Sequence, residues 1–261
     1  MKQVDIVQLK EKGITILDGV LSVEWLDKLT DAIDESFITH RNTQIANGND
    51  IKTEGVALHV LLSDPVFVKL LEHLLDIGLI QNLRENFFGA NCILNSLSAL
   101  NNVPNQPNFS SIVHRDLRFY SGQFPAMLNC LIMIDDFTIE NGGTYLLPHS
   151  HLKIDKPTNE IFFDTAIQAV GKRGSILIFD SNVWHASALN ITNDQRRAIP
   201  LTICRSFMKQ LLDYPRALGY DKMNSFSKEL QQFLGYHSRV PASLDEWYQP
   251  EDKRFYKRNQ D

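Results

Sequence analysis

The chain has 261 residues, 43% of them apolar and 22% charged, with 26 Lys and Arg against 31 Asp and Glu for a formal charge of -5. That balance is enough for a globular core, supplies no basic surface for nucleic-acid phosphates, and contains no apolar run as long as a membrane span. The start, MKQVDIVQLKEKG, lacks a signal-peptide core. Cys92, Cys130 and Cys204 are odd in number, widely spaced and without a CxxC. A reducing, cytoplasmic setting without disulfides or thiolate zinc is therefore expected. Any metal must be held by carboxylates and by some of the eight His.

In chain order, Ile14–Leu17 is β-prone. Ser22 is a plausible N-cap for a helix whose apolar stripe is Leu26, Leu29, Ile33 and Phe37. Residues 40–55 are polar and Asn-rich and read as a loop. Ser63-Asp64-Pro65 opens a second helix, with Phe67, Leu70, Leu71, Leu74 and Leu75 on its buried face and Gly78 at its end. Ile93–Leu100 is strand-like, and residues 101–110 form a loop broken by Pro104 and Pro107. Short apolar or alternating segments follow: Ile112–Tyr120, Met127–Ile134, Thr144–Leu147, Ser175–Phe179 and Ala198–Ile203, separated by Gly, Asn and Pro clusters. Helices first and short strands later predict one α+β, mainly β domain over residues 1–261, with an antiparallel sandwich or barrel at its centre. Residues 208–261 read as a partly helical extension around Ser225–Leu234. It ends in a solvated charged run, Glu251–Arg258.

Three segments carry candidate chemistry. In His114-Arg115-Asp116, strand alternation would point His114 and Asp116 to one face and Arg115 to the other. One imidazole and one carboxylate side by side are two-thirds of a two-His, one-carboxylate metal site. An isolated HxD is a weak motif, and taken alone it reads first as a surface ion pair. Gly174-Ser-Ile-Leu-Ile-Phe-Asp180 reads as a turn and a buried strand, and His185 follows five residues later as a candidate third ligand. Arg196 begins the return strand eleven residues beyond His185. A planar guanidinium there suits bidentate capture of a carboxylate.

With NGGTYLLPHSH (141–151) between them, HRD, GSILIFDSNVWH (174–185) and RRAI (196–199) resemble the phytanoyl-CoA dioxygenase family. The N-terminal GITILDGVLSVEWLDKLTDAID and the second helix are also similar to that family, and the likeness covers roughly residues 10–207. The resemblance implies a double-stranded β-helix (jelly roll) that uses Fe(II), 2-oxoglutarate and O₂. It implies His114, Asp116 and His185 as iron ligands and Arg196 as the 2-oxoglutarate anchor. His149 stands where the family commonly has Gly. Asp116 favours hydroxylation over halogenation, because related halogenases replace that carboxylate with a small residue. Some relatives place a Lys that touches 2-oxoglutarate upstream of HxD. His59 lies in a comparable place, where a structural histidine is an equal reading. Asn95 and Asn129 lie on strands that could line the barrel and contact 2-oxoglutarate, or bond along strand edges instead. Arg118 continues the i, i+2 series of His114 and Asp116. It faces either an acidic substrate group or an internal salt bridge to Asp135 or Asp136. His73 is read as solvated, His151 as structural, and Trp184 as packing. The 41–55 and 101–110 loops are candidate lids.

The expected activity is therefore oxidation of a small-molecule substrate, most simply hydroxylation, with release of succinate and CO₂. A silent jelly-roll binding protein and a cupin-type metalloenzyme independent of 2-oxoglutarate are the competing readings. Nucleic acid and membrane are not expected partners, and the sequence carries no signal on oligomeric state or substrate identity.

Overall fold

A computed structural model describes residues 3–49, 55–107 and 109–260. Four helices and the first strands make its N-terminal part: α1 (Ile6–Lys12), β1 (Ile14–Leu17), α2 (Val23–Ala46), β2 (Val56–Ala57), α3 (Pro65–Asp76) and α4 (Leu79–Leu83). Then come β3 (Cys92–Leu97), β4 (Ala99–Asn102), β5 (Met127–Met133), β6 (Tyr145–Leu146), α5 (Asn159–Thr165), β7 (Ile167–Gln168), β8 (Ile176–Asp180), β9 (His185–Ala186) and β10 (Arg196–Arg205). Helices α6 (Tyr214–Leu218), α7 (Lys228–Leu234) and α8 (Leu244–Trp247) follow.

The helix starts follow the capping residues seen in the sequence. Ser22 Oγ accepts from the Trp25 backbone N–H at 3.4 Å, and Asp64 Oδ1 accepts from that of Val66 at 2.7 Å, with Pro65 in the first turn. Leu26, Leu29 and Ile33 of α2 and Phe67, Leu70, Leu71 and Leu74 of α3 are buried as their spacing requires. Helix α2 runs further than expected, through His40 to Ala46. Polar residues do not stop a helix by themselves. Asn47-Gly48 does, with Gly48 at φ 69°. The expected 40–55 loop thus begins only after Ala46, and its residues 50–54 lie outside the described ones.

Among the described residues, ten strands form two antiparallel sheets. The larger has seven strands in the order β1-β8-β5-β10-β4-β2, with β3 also paired to β10; the smaller has the order β7-β6-β9. The expected Ile93–Leu100 strand is two strands, and β4 extends into the expected 101–110 loop. Ile112–Tyr120 is not a strand: its one regular pairing is an isolated bridge between His114 and His185. The alternating pattern is present there, but beyond His114 the chain leaves the ladder. Only the Leu117 N–H returns to it, bonding the Ser181 carbonyl at 3.2 Å.

Alternation along β5, β8 and β10 divides the core into two layers. Leu128, Cys130, Ile132, Ile176, Ile178, Ile199, Leu201 and Ile203 pack beneath the helices. Leu131, Met133, Leu177, Phe179 and Ala198 face the barrel interior. Asn129, Thr202 and Arg196 share the parity of this second set, so the polar interior residues are aimed by the same ladder. The charged run Glu251–Arg258 is largely exposed, as expected, and Gln260 just beyond it is buried and exchanges side-chain hydrogen bonds with Gln232.

Leu70 is fully buried in the core cluster beneath the helices. Leu70→Ala should cost about 2–5 kcal/mol of stability in urea unfolding, and an unchanged midpoint would contradict this packing.

Candidate metal centre

His114, Asp116 and His185 bring one ligand atom each within 4.8 Å of one another. Asp116 Oδ1 lies 3.6 Å from His114 Nε2, and Asp116 Oδ2 lies 3.6 Å from His185 Nε2. The backbones of His114 and His185 exchange two hydrogen bonds, of 3.0 and 2.9 Å, which sets the two rings 4.2 Å apart. Each ring is oriented from behind in the same way. His114 Nδ1 bonds the Ile112 carbonyl at 2.7 Å, and His185 Nδ1 bonds the Val183 carbonyl at 3.0 Å. A carbonyl only accepts, so each Nδ1 carries a proton and each Nε2 is turned toward Asp116.

Asp116 is aimed by Asn129, whose amide donates to Asp116 Oδ2 at 2.8 Å and to Ser181 Oγ at 2.9 Å. Thr202 Oγ1 donates to Asn129 Oδ1 at 2.9 Å, across the β5–β10 register that pairs these two residues. The side chains of His114 and Asp116 are 33% and 34% exposed, whereas His185 is at 9%. The cluster therefore opens on one side only.

The charges are tuned together. Burial works to raise the Asp116 carboxyl, but the two imidazoles and the Asn129 amide outweigh it and hold the group below the usual carboxylate range. Burial pulls the His185 imidazole down, with Asp116 opposing. Burial also opposes a charge on His114, yet Asp116 and the Ile112 carbonyl prevail and raise it.

Arg196, at the other end of the interior face, is 2% exposed. Its Nη2 donates to the Gly142 carbonyl at 2.9 Å, and its guanidinium lies 4.2 Å from the Phe137 ring centroid. The turn that presents this carbonyl needs a glycine. Gly142 has φ 82°, and a Cβ there would meet Asn102 Nδ2 and the Ala188 carbonyl. Burial lowers the Arg196 pKa to about 10, with Asp135 opposing, so the group stays charged at neutral pH. Asp135 itself is engaged by Arg197 at 3.0 Å. Arg196 Nε is buried without a hydrogen-bond partner. A buried cation left in this state favours an anion beside it.

The other residues considered for the site have the following partners. His59 Nδ1 bonds the Tyr214 hydroxyl at 3.0 Å, and Tyr214 belongs to the helix-side core. Asn95 donates to the Lys209 carbonyl at 3.1 Å and lies 3.6 Å from Cys204 Sγ. Asn129 contacts the triad through Asp116. Arg118 is exposed and makes no ion pair among the described residues. The salt bridge considered for it does not form, since Asp135 binds Arg197 and Asp136 binds Lys172 at 2.9 Å. His73 is half-buried and packs on Trp25 at 5.0 Å, where solvation was expected. His151 is buried, with Nε2 at 3.1 Å from the Lys10 carbonyl. His149 has φ 63°, the left-handed conformation that glycine adopts without strain. Ser181 and Thr202 gave no signal in the sequence; only strand register brings them to Asn129.

An antiparallel double-sheet barrel with a two-His, one-carboxylate cluster inside it defines a jelly-roll protein with a non-haem metal centre. The chain belongs to the phytanoyl-CoA dioxygenase family, whose model matches residues 9–198. It is 39% identical over 152 residues to two uncharacterized proteins, Mb1539 of Mycobacterium bovis and Rv1501 of Mycobacterium tuberculosis, covering 58% of this chain and 56% of each of theirs. The match thus spans little more than half the length of those relatives. Dioxygenase sphC of Aspergillus fumigatus is 25% identical over 253 residues, 89% of this chain and 67% of that protein. Among solved structures, AviO1 from Streptomyces viridochromogenes superposes with a TM-score of 0.57 at 17% identity, covering 76% of this chain and 92% of that one. The non-heme alpha ketoglutarate dependent carbocyclase SnoK from nogalamycin biosynthesis also gives 0.57 at 17%, over 76% and 82%. At that identity the likeness is one of fold.

Burial depresses both His40 and His59 below the ordinary histidine value of 6.5, and the charge of His40 adds to the effect on His59. Stability from a depressed histidine is complete above that ordinary value and is lost as pH falls through the depressed one. The urea midpoint should therefore fall as the pH is lowered from 6.5, and fall less in His59→Gln. An identical pH slope in the variant would refute the assignment.

Proposed function

We propose that this protein is an Fe(II)- and 2-oxoglutarate-dependent oxygenase that hydroxylates a small organic metabolite or natural-product intermediate. The observation that carries the reading is the pairing, on one interior face, of a cluster of two imidazole Nε2 atoms and one carboxylate with a buried guanidinium whose Nε lacks a partner. The donor set fits the metal: two neutral nitrogens and one anionic oxygen suit iron(II) and leave coordination positions for other groups. The guanidinium fits the co-substrate, a keto acid with a second carboxylate at its far end.

In this reading His114 and His185 hold iron through Nε2, each kept in the correct tautomer by a backbone carbonyl. Asp116 supplies the anionic ligand and stays ionised through its two imidazole neighbours and the Asn129 amide. Arg196 anchors the distal carboxylate of 2-oxoglutarate, and the apolar layer around Leu131, Phe137 and Phe179 keeps water from the space between. The bound iron, 2-oxoglutarate and O₂ supply an oxidation coupled to decarboxylation to succinate and CO₂. The protein contributes orientation, charge and dryness. Retention of Asp116 supports hydroxylation over halogenation. Relatives named as dioxygenases and a structural neighbour described as an alpha ketoglutarate dependent carbocyclase support the class of chemistry.

Anaerobic addition of Fe(II) and 2-oxoglutarate should give a visible charge-transfer band, and O₂ should then yield succinate. Asp116→Ala and His185→Ala should lose both signals. Arg196→Ala should weaken 2-oxoglutarate binding by roughly 10- to 100-fold, the loss of a charged hydrogen-bonded pair. No band in the intact protein, beside an active oxygenase control, would favour a silent binding protein. Metal-dependent turnover untouched by Arg196→Ala would favour an enzyme independent of 2-oxoglutarate.

A further inference from the structure

The backbone bridge between His114 and His185 has a second face. The two strands run antiparallel there, so the next pair in register is Arg115 opposite Trp184. Their side chains point away from the ligand atoms and stack. The Arg115 guanidinium carbon lies 4.1 Å from the Trp184 ring centroid and 5.5 Å from that of Tyr120. Arg115 Nη2 donates to the Lys153 carbonyl at 2.7 Å. The indole N–H of Trp184 donates to the Asp155 carbonyl at 3.1 Å, and its backbone N–H donates to Ser150 Oγ at 2.9 Å. Arg115 makes no ion pair among the described residues. The buried Asp180 carboxylate at the end of β8 attracts its charge from a greater distance. Backbone bonds from Ser187 to the Ser110 carbonyl at 2.8 Å and from Leu117 to the Ser181 carbonyl at 3.2 Å also tie the His114–Asp116 segment near His185, and the stack joins the outer faces of the two segments at the bridge itself.

We propose that Arg115 and Trp184 form a positioning clamp for the metal centre, a cross-strand cation–π stack that sets the distance between the His114–Asp116 segment and His185. The inference rests on the reading of this triad as a metal site. The flat guanidinium is the group the geometry requires. It lies on the indole face while its edge reaches the Lys153 carbonyl, whereas an ammonium offers no plane to stack. Neither side chain touches the metal, and both act through the ligands beside them.

Titration of the metal-free protein with Co(II), followed by its visible absorption, tests the clamp without recourse to activity. Arg115→Ala and Trp184→Ala should each weaken Co(II) binding by about tenfold, in the range found when groups that orient metal ligands are removed. Their combination should lose no more than the worse single variant, as expected for two halves of one device. Trp184→Phe, which keeps an aromatic face, should recover most of the affinity, and thermal unfolding of the metal-free variants should change little. If the alanine variants do not fold, Arg115→Lys carries the test, because it keeps the charge and loses the plane; its binding should be about tenfold weaker. Wild-type affinity in Arg115→Lys or in both alanine variants, or losses that multiply in the double variant, would overturn the clamp. If the wild type takes up no Co(II), or His185→Ala binds it as tightly as the wild type, the metal site itself is refuted.

Discussion

The site depends on one register, that of β5 against β10. It sets Thr202 opposite Asn129, and Thr202, Asn129 and Asp116 then form a line of hydrogen bonds that ends on the carboxylate. A slip of one residue would turn Asn129 toward the helices and put Leu128 or Cys130 into the barrel. The converse slip, of β10 against β5, would take Arg196 off the interior face. The two ends of the site, a carboxylate with its imidazoles and a guanidinium, are therefore set by a single pairing in the middle of the larger sheet.

That pairing also divides the electrostatics. The triad end is partly open, and its charges compensate one another. The arginine end is closed, and its charge is met by a carbonyl dipole and the face of Phe137. An isolated charge in apolar surroundings is costly. The fold tolerates it because Asp135, although bound to Arg197, still favours the charged form of Arg196. The interior thus carries opposite needs at its two ends, with apolar side chains between.

What the sequence disclosed follows from what is local. The strand Ile176–Asp180, the caps Ser22 and Asp64, the HxD pair and the spacing from His185 to Arg196 are all legible, because each lies within one element or one short connection. The segment after His114 misled because alternation describes side chains, whereas a strand also needs a partner for its backbone. Helix α2 outran its apolar stripe because helix stops are set by backbone geometry at Asn47-Gly48, and composition alone does not mark them. Asn129 was visible as a polar residue on an interior strand. Its attachment to Asp116 was not, because Ser181 and Thr202 reach it only through register. The same holds for His59, whose partner Tyr214 lies far along the chain. Arg115 and Trp184 looked like mere flanking residues, since their meeting is a property of two segments and of neither alone.

The reciprocal backbone bonds between His114 and His185 give a bound ion a further role. A metal held by both imidazoles would close the loop of chain that runs from one to the other, and that loop contains β5, β6, β7, β8 and α5. In the unfolded chain these two histidines wander independently, so ligation would withdraw conformational freedom over much of the barrel. The ion would then serve as a crosslink as well as a reagent, and the cohesion of the smaller sheet would follow metal supply.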